Sequence, residues 1–439
     1  MGLTLAKALR LKNNSTPRVA FVGAGGKTTA LFQLAREISP CIITTTTHLG
    51  AWQAIEADQH IIVQSSEDCI KLEETSPSGI ILVTGPEEND RLQSLPTENL
   101  NWLENYCKTH SLPLLIEADG ARQKALKAPS AHEPVIPDFV DQVVVVAGLS
   151  GLGKPLSDEW VYGAERFVEI SASSEQEIIS AEMLSAVMTD GDGGLKNIPP
   201  KARRIALLNQ ADTPELQAIS SRMAQNLLTH FDAVLTGTLQ PVELVNYEPV
   251  AAIILAAGES SRYGEPKQLL DYHGRPFIRV VAETALRAEL SPVIVVAGSN
   301  HERIEAALRD LPIQFLTNPN WMDGQSSSIK VGIHLLEKKI GAAIFLLADQ
   351  PQVKPPIIRA LVEEHHRTLK PVIAPMVEGQ RANPVLLDRV TFPALLELEG
   401  DVGGRGIFSK FSPSYIQWED ASLLLDVDRP EDYRKLLEL

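Results

Sequence analysis

Arg262 and Lys267 stand five positions apart in the stretch ILAAGESSRYGEPK, residues 254–267, directly after an apolar run. A strand that breaks into small residues lets backbone N–H groups approach phosphate oxygens without Cβ obstruction, and nearby cations neutralise a triphosphate. Arg262 offers a planar fork to phosphate oxygens, and Lys267, behind the stiffening Pro266, a point charge near the α-phosphate. Acidic residues extend this chemistry. Asp349 closes an apolar run just before Gln350 and Pro351, at the sheet edge where open α/β folds bind ligands. Asp426 and Asp428 alternate at the end of LLLDV, read here as a strand, and so share a face. Magnesium takes one or two carboxylates plus substrate phosphates, which makes Asp349 and one of that pair candidate ligands for Mg2+. An Asp at a strand end also caps helices, and a glycine loop is also a tight turn with solvated cations. Ser326, Ser327 and Ser328 open a helical pattern, where hydroxyls either cap the helix or reach a base and ribose.

A second strand-to-glycine junction lies at VAFVGAGGKTTALFQLA, residues 19–35. Gly23, Gly25 and Gly26 followed by Lys27, Thr28 and Thr29 and a helix give the context of a P-loop: backbone amides and Lys27 on phosphates, Thr28 on magnesium. Phe21 stands where the regular GxxxxGK[ST] spacing demands Gly, so Gly23 opens a shorter loop, and a merely tight βα turn is the plain alternative. Asp119 ends LLIEAD as a Walker-B-like carboxylate and expected metal ligand. Asn209 and Asp212 fall where an NKxD motif would read guanine, but Gln210 replaces its Lys. Thr44 to Thr47 could sense a γ-phosphate and are equally ordinary strand material. Arg122, Lys124 and Lys127 beside His132 and Glu133 read as an anion pocket or as a solvated loop.

The elements that must position these residues follow from the hydropathy pattern. Apolar runs of four to eight residues alternate with helical stretches, as in parallel sheets covered on both faces. Strands are expected at 19–23, 41–46, 79–85, 114–119, 142–148, 204–210 and 233–237, then at 251–256, 292–298, 313–316, 342–348, 371–375, 384–387 and 423–427. The 439 residues exceed what one hydrophobic core supports, and 44% hydrophobic content supplies two. The mixed stretch LQPVELVNYEP, 239–249, with its two prolines, reads as the linker, giving domains at 1–245 and 250–439.

A net charge of −16 argues against nucleic acid as a partner, while leaving room for a local basic pocket. No apolar run reaches membrane-spanning length, and the opening MGLTLAKALRLKNNSTPR lacks the apolar centre of a signal peptide. Cys41, Cys69 and Cys107 form neither a CxxC pair nor a zinc-finger spacing, which suits a reducing cytoplasm.

LAAGESSRYGEPK resembles the signature LAAGxSxRMGxxK of the molybdenum cofactor nucleotidyltransferases and related sugar-nucleotide pyrophosphorylases, with Tyr263 where Met is commoner. TNPNWMDGQSSSIKVGI, LLADQP, ANPVLL, LEGDVGGRG and LLDVDRPEDY follow in the order of the molybdenum cofactor cytidylyltransferases. The resemblance implies a Rossmann-like, MobA-like nucleotide-diphospho-sugar transferase fold over 250–439. It implies catalytic roles for Arg262, Lys267 and Asp349, a nucleotide held by Leu255, Ala256, Ala257, Gly258, Ser326 and Ser327, and Asp428 as second metal ligand. Ala256-Ala257-Gly258 is similar to the branch that uses CTP; guanylyl-transferring relatives tend to carry Gly-Gly there. Asn383, Asp401 and Arg405 fall where the family holds its acceptor, a molybdopterin-type phosphate.

GAGGKTT, ITTTTHLG, EADGARQKALKAP and VVAGLSGLGKPL resemble the selenium-dependent hydroxylase accessory family, the YqeC-like proteins, over about 15–240. That resemblance implies a P-loop NTPase-like three-layer α/β domain that takes ATP or GTP. Together the two imply a cytoplasmic maturation protein for molybdenum hydroxylases, with the hydroxylase apoenzyme as partner and neither nucleic acid nor membrane. Two other readings stay open: a sugar-phosphate nucleotidyltransferase, and a nucleotide-gated cofactor chaperone without turnover.

Overall fold

The computed structural model describes residues 2–12, 15–73, 77–258 and 266–438. It divides between Tyr247 and Glu248 into two compact units, each with its own sheet and core. Among the described residues no helix is long and apolar enough to cross a membrane.

The N-terminal unit is built on nine strands: β1 (Arg18–Gly23), β2 (Cys41–Thr45), β3 (Gln59–Ile62), β4 (Ile80–Thr84), β5 (Leu114–Glu117), β6 (Gln142–Gly148), β7 (Arg203–Asn209), β8 (Ala233–Leu239) and β9 (Val242–Tyr247). They lie in the order β3-β4-β2-β5-β1-β6-β7-β8-β9, and every neighbouring pair is parallel except β8 and β9. The central strands are apolar without alternation because both faces are covered: Ala20 and Val22 face one core while Val19 and Phe21, on the other face, are also sealed from solvent. β1 therefore sits deep between β5 and β6 and delivers its C-terminal glycines to the sheet edge, where helix α1 (Lys27–Ile38) begins. Ala30, Leu31, Leu34 and Ala35 bury one stripe of α1 and fix its N-terminus over that edge.

The division between the units falls within the stretch expected as a linker, but Val242–Tyr247 of that stretch is an edge strand. β9 pairs antiparallel with β8 from Val242 to Tyr247, burying Leu244 and Asn246. Its two prolines fall outside the paired segment, Pro241 in the turn and Pro249 beyond the strand, where neither removes a ladder hydrogen bond.

The C-terminal unit has strands β10 (Val250–Ala256), β11 (Val293–Ala297), β12 (Gln314–Thr317), β13 (Ala342–Leu347), β14 (Val372–Val377), β15 (Gln380–Arg381), β16 (Val385–Asp388) and β17 (Ser414–Gln417). Their order is β12-β11-β10-β13-β16-β14-β15, with β17 beside β14; β16 runs antiparallel to both its neighbours. Alternate residues serve two cores: Ala252, Ile254 and Val295 face one, Ala251, Ile253 and Ile294 the other. The chain leaves β10 toward β11 on one side and later returns as β13 on the other, so the switch in winding lies at the C-terminal end of β10.

LLLDV is not a strand. Residues Ala421–Leu424 form a 3-10 turn, opened by Asp420 accepting from the Ser422 N–H, and Asp426 to Asp428 belong to the loop before the helix Pro430–Leu437. On a strand Leu423, Leu425 and Val427 would share one face, but Leu423 is buried in one cluster and Val427, with Leu425 packed beside it, in another. Asp426 and Asp428 thus do not alternate on a strand face.

Candidate functional sites

In the N-terminal unit the turn after β1 lies against its neighbours so closely that side chains are excluded. A Cβ on Gly23 (φ +95°) would stand 2.2 Å from the Val146 carbonyl, and one on Gly25 (φ +78°) 2.2 Å from the Gly148 nitrogen. Asn209 donates through Nδ2 to the Gly25 carbonyl at 2.8 Å, so its amide braces the loop from behind. The loop and the start of α1 form one wall of a cleft of ≈ 810 Å³. Lys27, Thr28, Thr29 and Glu117 line it, together with Arg91, Arg122, Lys124, the exposed Trp52 and the half-buried Trp160. Gln210, at φ +66°, lines the cleft and accepts from Ser150 at 2.6 Å; Asp212 does not line it.

Lys27 is buried, and its ammonium lies 2.8 Å from the Gly23 carbonyl and 2.8 Å from Asp119 Oδ1. Burial pulls its pKa down, but Asp119 and Glu117 outweigh that and hold it above the ordinary lysine value. Asp119 also accepts from the Gly23 N–H at 2.9 Å and meets Lys127 at 2.9 Å. It faces a small apolar cavity behind β1, not the cleft, so the carboxylate expected on a nucleotide-bound metal is committed to two lysines. Glu117 faces the cleft and accepts from the Thr28 hydroxyl at 2.8 Å. Burial raises its carboxyl above the usual range, against the pull of Lys27 and the Thr28 bond. Thr44 donates to the Val83 carbonyl and Thr45 to the Glu117 carbonyl, as strand and turn residues.

In the C-terminal unit β10 ends at Ala256, and Gln268 Nε2 donates to the carbonyls of Ala256 (3.3 Å) and Gly258 (2.9 Å), holding the entrance of the loop. Arg262, with the rest of 259–265, lies outside the described residues. Lys267 reaches Asp428 Oδ1 at 2.8 Å. Asp349, half-buried just after β13, has its carboxyl raised by burial and by Asp426 and Asp428, with Lys267 opposing them, so these four side chains share one neighbourhood. Among the described residues no three His, Cys, Asp or Glu side chains form a group able to hold a metal by themselves. A pair of carboxylates completed by phosphate oxygens is the donor set that magnesium takes.

The serines at the start of helix Gln325–His334 are spoken for. Ser326 donates to the Gly400 carbonyl at 2.7 Å and Ser327 to the Gly324 carbonyl at 2.8 Å. Asp401 accepts weakly from the Gln325 N–H at 3.4 Å, so its carboxylate turns toward the helix start. Arg405 is exposed in the turn Gly404–Ile407, and Asn383 is half-buried between β15 and β16. Two positioning residues have no place among those expected. Asn318 is buried and donates to Ser327 Oγ (2.8 Å) and Ser328 Oγ (3.0 Å), and Gly298 passes so near Ala257 that a Cβ would stand 2.6 Å from its carbonyl. Both follow strand ends, β12 and β11, and Asn318 also stands in TNPNWMDGQSSSIKVGI, one of the stretches that carry the family resemblance.

Residues 19–165 match the YqeC protein family and residues 252–415 the MobA-like NTP transferase domain. The uncharacterized protein YqeC of Escherichia coli K12 is 30% identical over 51% of this chain and 87% of its own length. The purine catabolism protein PucB of Bacillus subtilis is 29% identical over 41% of this chain and 92% of its own. A probable molybdenum cofactor guanylyltransferase of Bacillus cereus is 30% identical over 42% of this chain and 93% of its own.

Proposed function

The chain belongs to the YqeC family through its N-terminal half and to the MobA-like nucleotidyltransferases through its C-terminal half, and we propose that it transfers CMP from CTP to a molybdopterin-type phosphate. In that reaction an acceptor phosphate oxygen forms a bond to the α-phosphorus while the bond to the β-phosphate breaks, and pyrophosphate leaves. Catalysis is then positioning and charge neutralisation. Lys267 supplies positive charge beside the triphosphate, with Arg262 from the adjoining loop. The amides of Ala257 and Gly258 approach phosphate oxygens, with Leu255 and Ala256 behind them, and Asn383 and Arg405 orient the acceptor. Asp349 and Asp428 would hold a magnesium ion, which supplies further charge neutralisation when bound. The observation that carries this reading is the shared neighbourhood of Lys267, Asp349 and Asp428, with the Lys267–Asp428 pair at 2.8 Å.

CTP is favoured by Ala256-Ala257-Gly258, and the molybdopterin acceptor by the name of the Bacillus cereus relative. That relative is called a guanylyltransferase, so GTP is the competing donor to test. The N-terminal unit, read as a variant P-loop module, binds ATP or GTP in its cleft, and the fusion of the two suits maturation of a molybdenum hydroxylase, selenium-dependent or not, in the cytoplasm.

Asp349→Ala should lower pyrophosphate release by about 100-fold or more, the order lost when one preorganised electrostatic partner is removed, while the melting temperature stays near wild type. Wild-type turnover in a folded Asp349→Ala protein would end the assignment. Running CTP and GTP against molybdopterin and against hexose 1-phosphates separates the cofactor reading from a sugar-nucleotide one.

A further inference from the structure

We propose that Thr28 and Glu117 hold the divalent cation of a nucleotide bound to the N-terminal unit, and that Asp119 is the clamp that positions Lys27. This rests on the reading of the cleft as a nucleotide site. Glu117 and Asp119 are two residues apart, yet they face different spaces because β5 ends at Glu117 and the chain then turns. Glu117 opens onto the wide cleft beside the glycine loop, and Asp119 onto the small cavity behind β1.

Asp119 has no coordinating capacity to spare. One oxygen meets the Lys27 ammonium at 2.8 Å; the other accepts from the Gly23 N–H and meets the Lys127 ammonium, both at 2.9 Å. A cation placed there would face two buried ammonium groups. Glu117 offers the opposite situation. Its Oε2 lies 2.8 Å from Thr28 Oγ1, both atoms belong to residues of the cleft wall, and both are the hard oxygen donors that magnesium prefers. Neighbouring ligands of an octahedral magnesium, at 2.0–2.1 Å from the ion, stand about 2.9 Å apart. The Thr28–Glu117 separation therefore already fits two adjacent coordination positions, and phosphate oxygens and water would fill the rest. Lys27, held by the Gly23 carbonyl and Asp119, lies one residue from this pair at the same loop.

The test uses the full chain carrying Asp349→Ala and Asp428→Ala, so that neither carboxylate assigned to the C-terminal cation remains. Manganese is the probe, with ATP and GTP, read by the electron paramagnetic resonance of bound Mn2+ and by nucleotide affinity with and without metal. In this parent, manganese should tighten nucleotide binding and show a nucleotide-dependent bound signal. Glu117→Gln and Thr28→Val, both near-isosteric, should each reduce that tightening by about ten-fold or more, with metal-free affinity changed by less than about three-fold. Asp119→Asn should keep the bound-manganese signal and lower the melting temperature. A Glu117→Gln protein that retains the parent's metal dependence overturns the assignment while leaving the nucleotide reading standing. So does an Asp119→Asn protein that melts like the parent and loses the signal. If neither nucleotide binds the parent, the nucleotide reading itself fails and the assignment falls with it.

Discussion

Lys127 has its side chain 1% exposed and its ammonium shared between Glu133 at 2.7 Å, Asp119 at 2.9 Å and the Gly120 carbonyl, with the face of Tyr162 at 4.9 Å. An ion so enclosed is tolerable only because its partners are in place, and removing one member of a buried pair strands the others. Lys127→Met keeps the aliphatic stem and deletes the charge, leaving Glu133 without its cation and Asp119 with Lys27 alone. The expected loss is about 3–5 kcal/mol in the unfolding of the N-terminal unit, measured by urea denaturation, against less than about 0.5 kcal/mol for Lys124→Met at the cleft surface. Equal effects of the two variants would contradict the buried-clamp description. The sequence groups Arg122, Lys124, Lys127, His132 and Glu133 as one charged loop, and nothing in their spacing says which turn inward. What separates them is a two-residue strand, Leu126–Lys127, paired with Val161–Tyr162, which carries Lys127 inside while Arg122 and Lys124 remain in the cleft wall. Asp119 shows the same limit: its type and strand-end position are visible in the sequence, but its pairing with Lys127, beside Lys27, is set only by tertiary structure.

At the level of elements, the central parallel strands were legible because each is a nearly continuous apolar run, and a run of that kind has few alternatives once flanked by helical patterns. The edge strand β12 was also expected, at 313–316, but other outer strands were not. β3, β9 and β17 mix polar and apolar residues, and their pairing comes from the neighbour that recruits them. LLLDV failed in the opposite direction, an apolar run that begins in a 3-10 turn and divides its buried residues, Leu423 and Val427, between two clusters. The same limit hid Asn318, whose importance lies in the three pieces it joins: it hangs from the Ala297 carbonyl at the end of β11 (2.8 Å), receives the Asn320 N–H (3.0 Å) and ties both serines of the following helix. Asn318→Ala should destabilise the C-terminal unit by about 1–3 kcal/mol through the unsatisfied groups it leaves. Because Asn318 holds the helix start and not the Lys267–Asp428 cluster, its kinetic signature should be a raised KM for the nucleotide with kcat nearly unchanged. Steady-state pyrophosphate assays check this, and a pure kcat defect would count against the positioning role.

For the molecule as a whole, the boundary between the units decides what can stand alone. The mixed polarity of 239–249 places a linker there, yet the chain from Val242 to Tyr247 forms six register pairs with β8 and belongs to the first sheet. Leu244 is 1% exposed and bridges to Leu3, and the buried Asn246 donates to the Ala8 carbonyl at 2.6 Å, so β9 also anchors the first turn of the chain, Leu5–Ala8. A fragment ending at 239 loses the burial of Leu244, about 1.5–3 kcal/mol, together with the bond to Ala8, and it exposes the unpaired side of β8. A fragment ending at 247 keeps all of these and removes no residue from its core cluster. Fragment 1–247 should therefore melt at least about 4 °C above fragment 1–239, which should also be the more prone to aggregate. Fragment 248–439, which retains β10 and both core faces of its sheet, should fold and release pyrophosphate. Thermal melts of the two N-terminal fragments test the role of β9: equal midpoints would mean that it adds nothing to the first sheet.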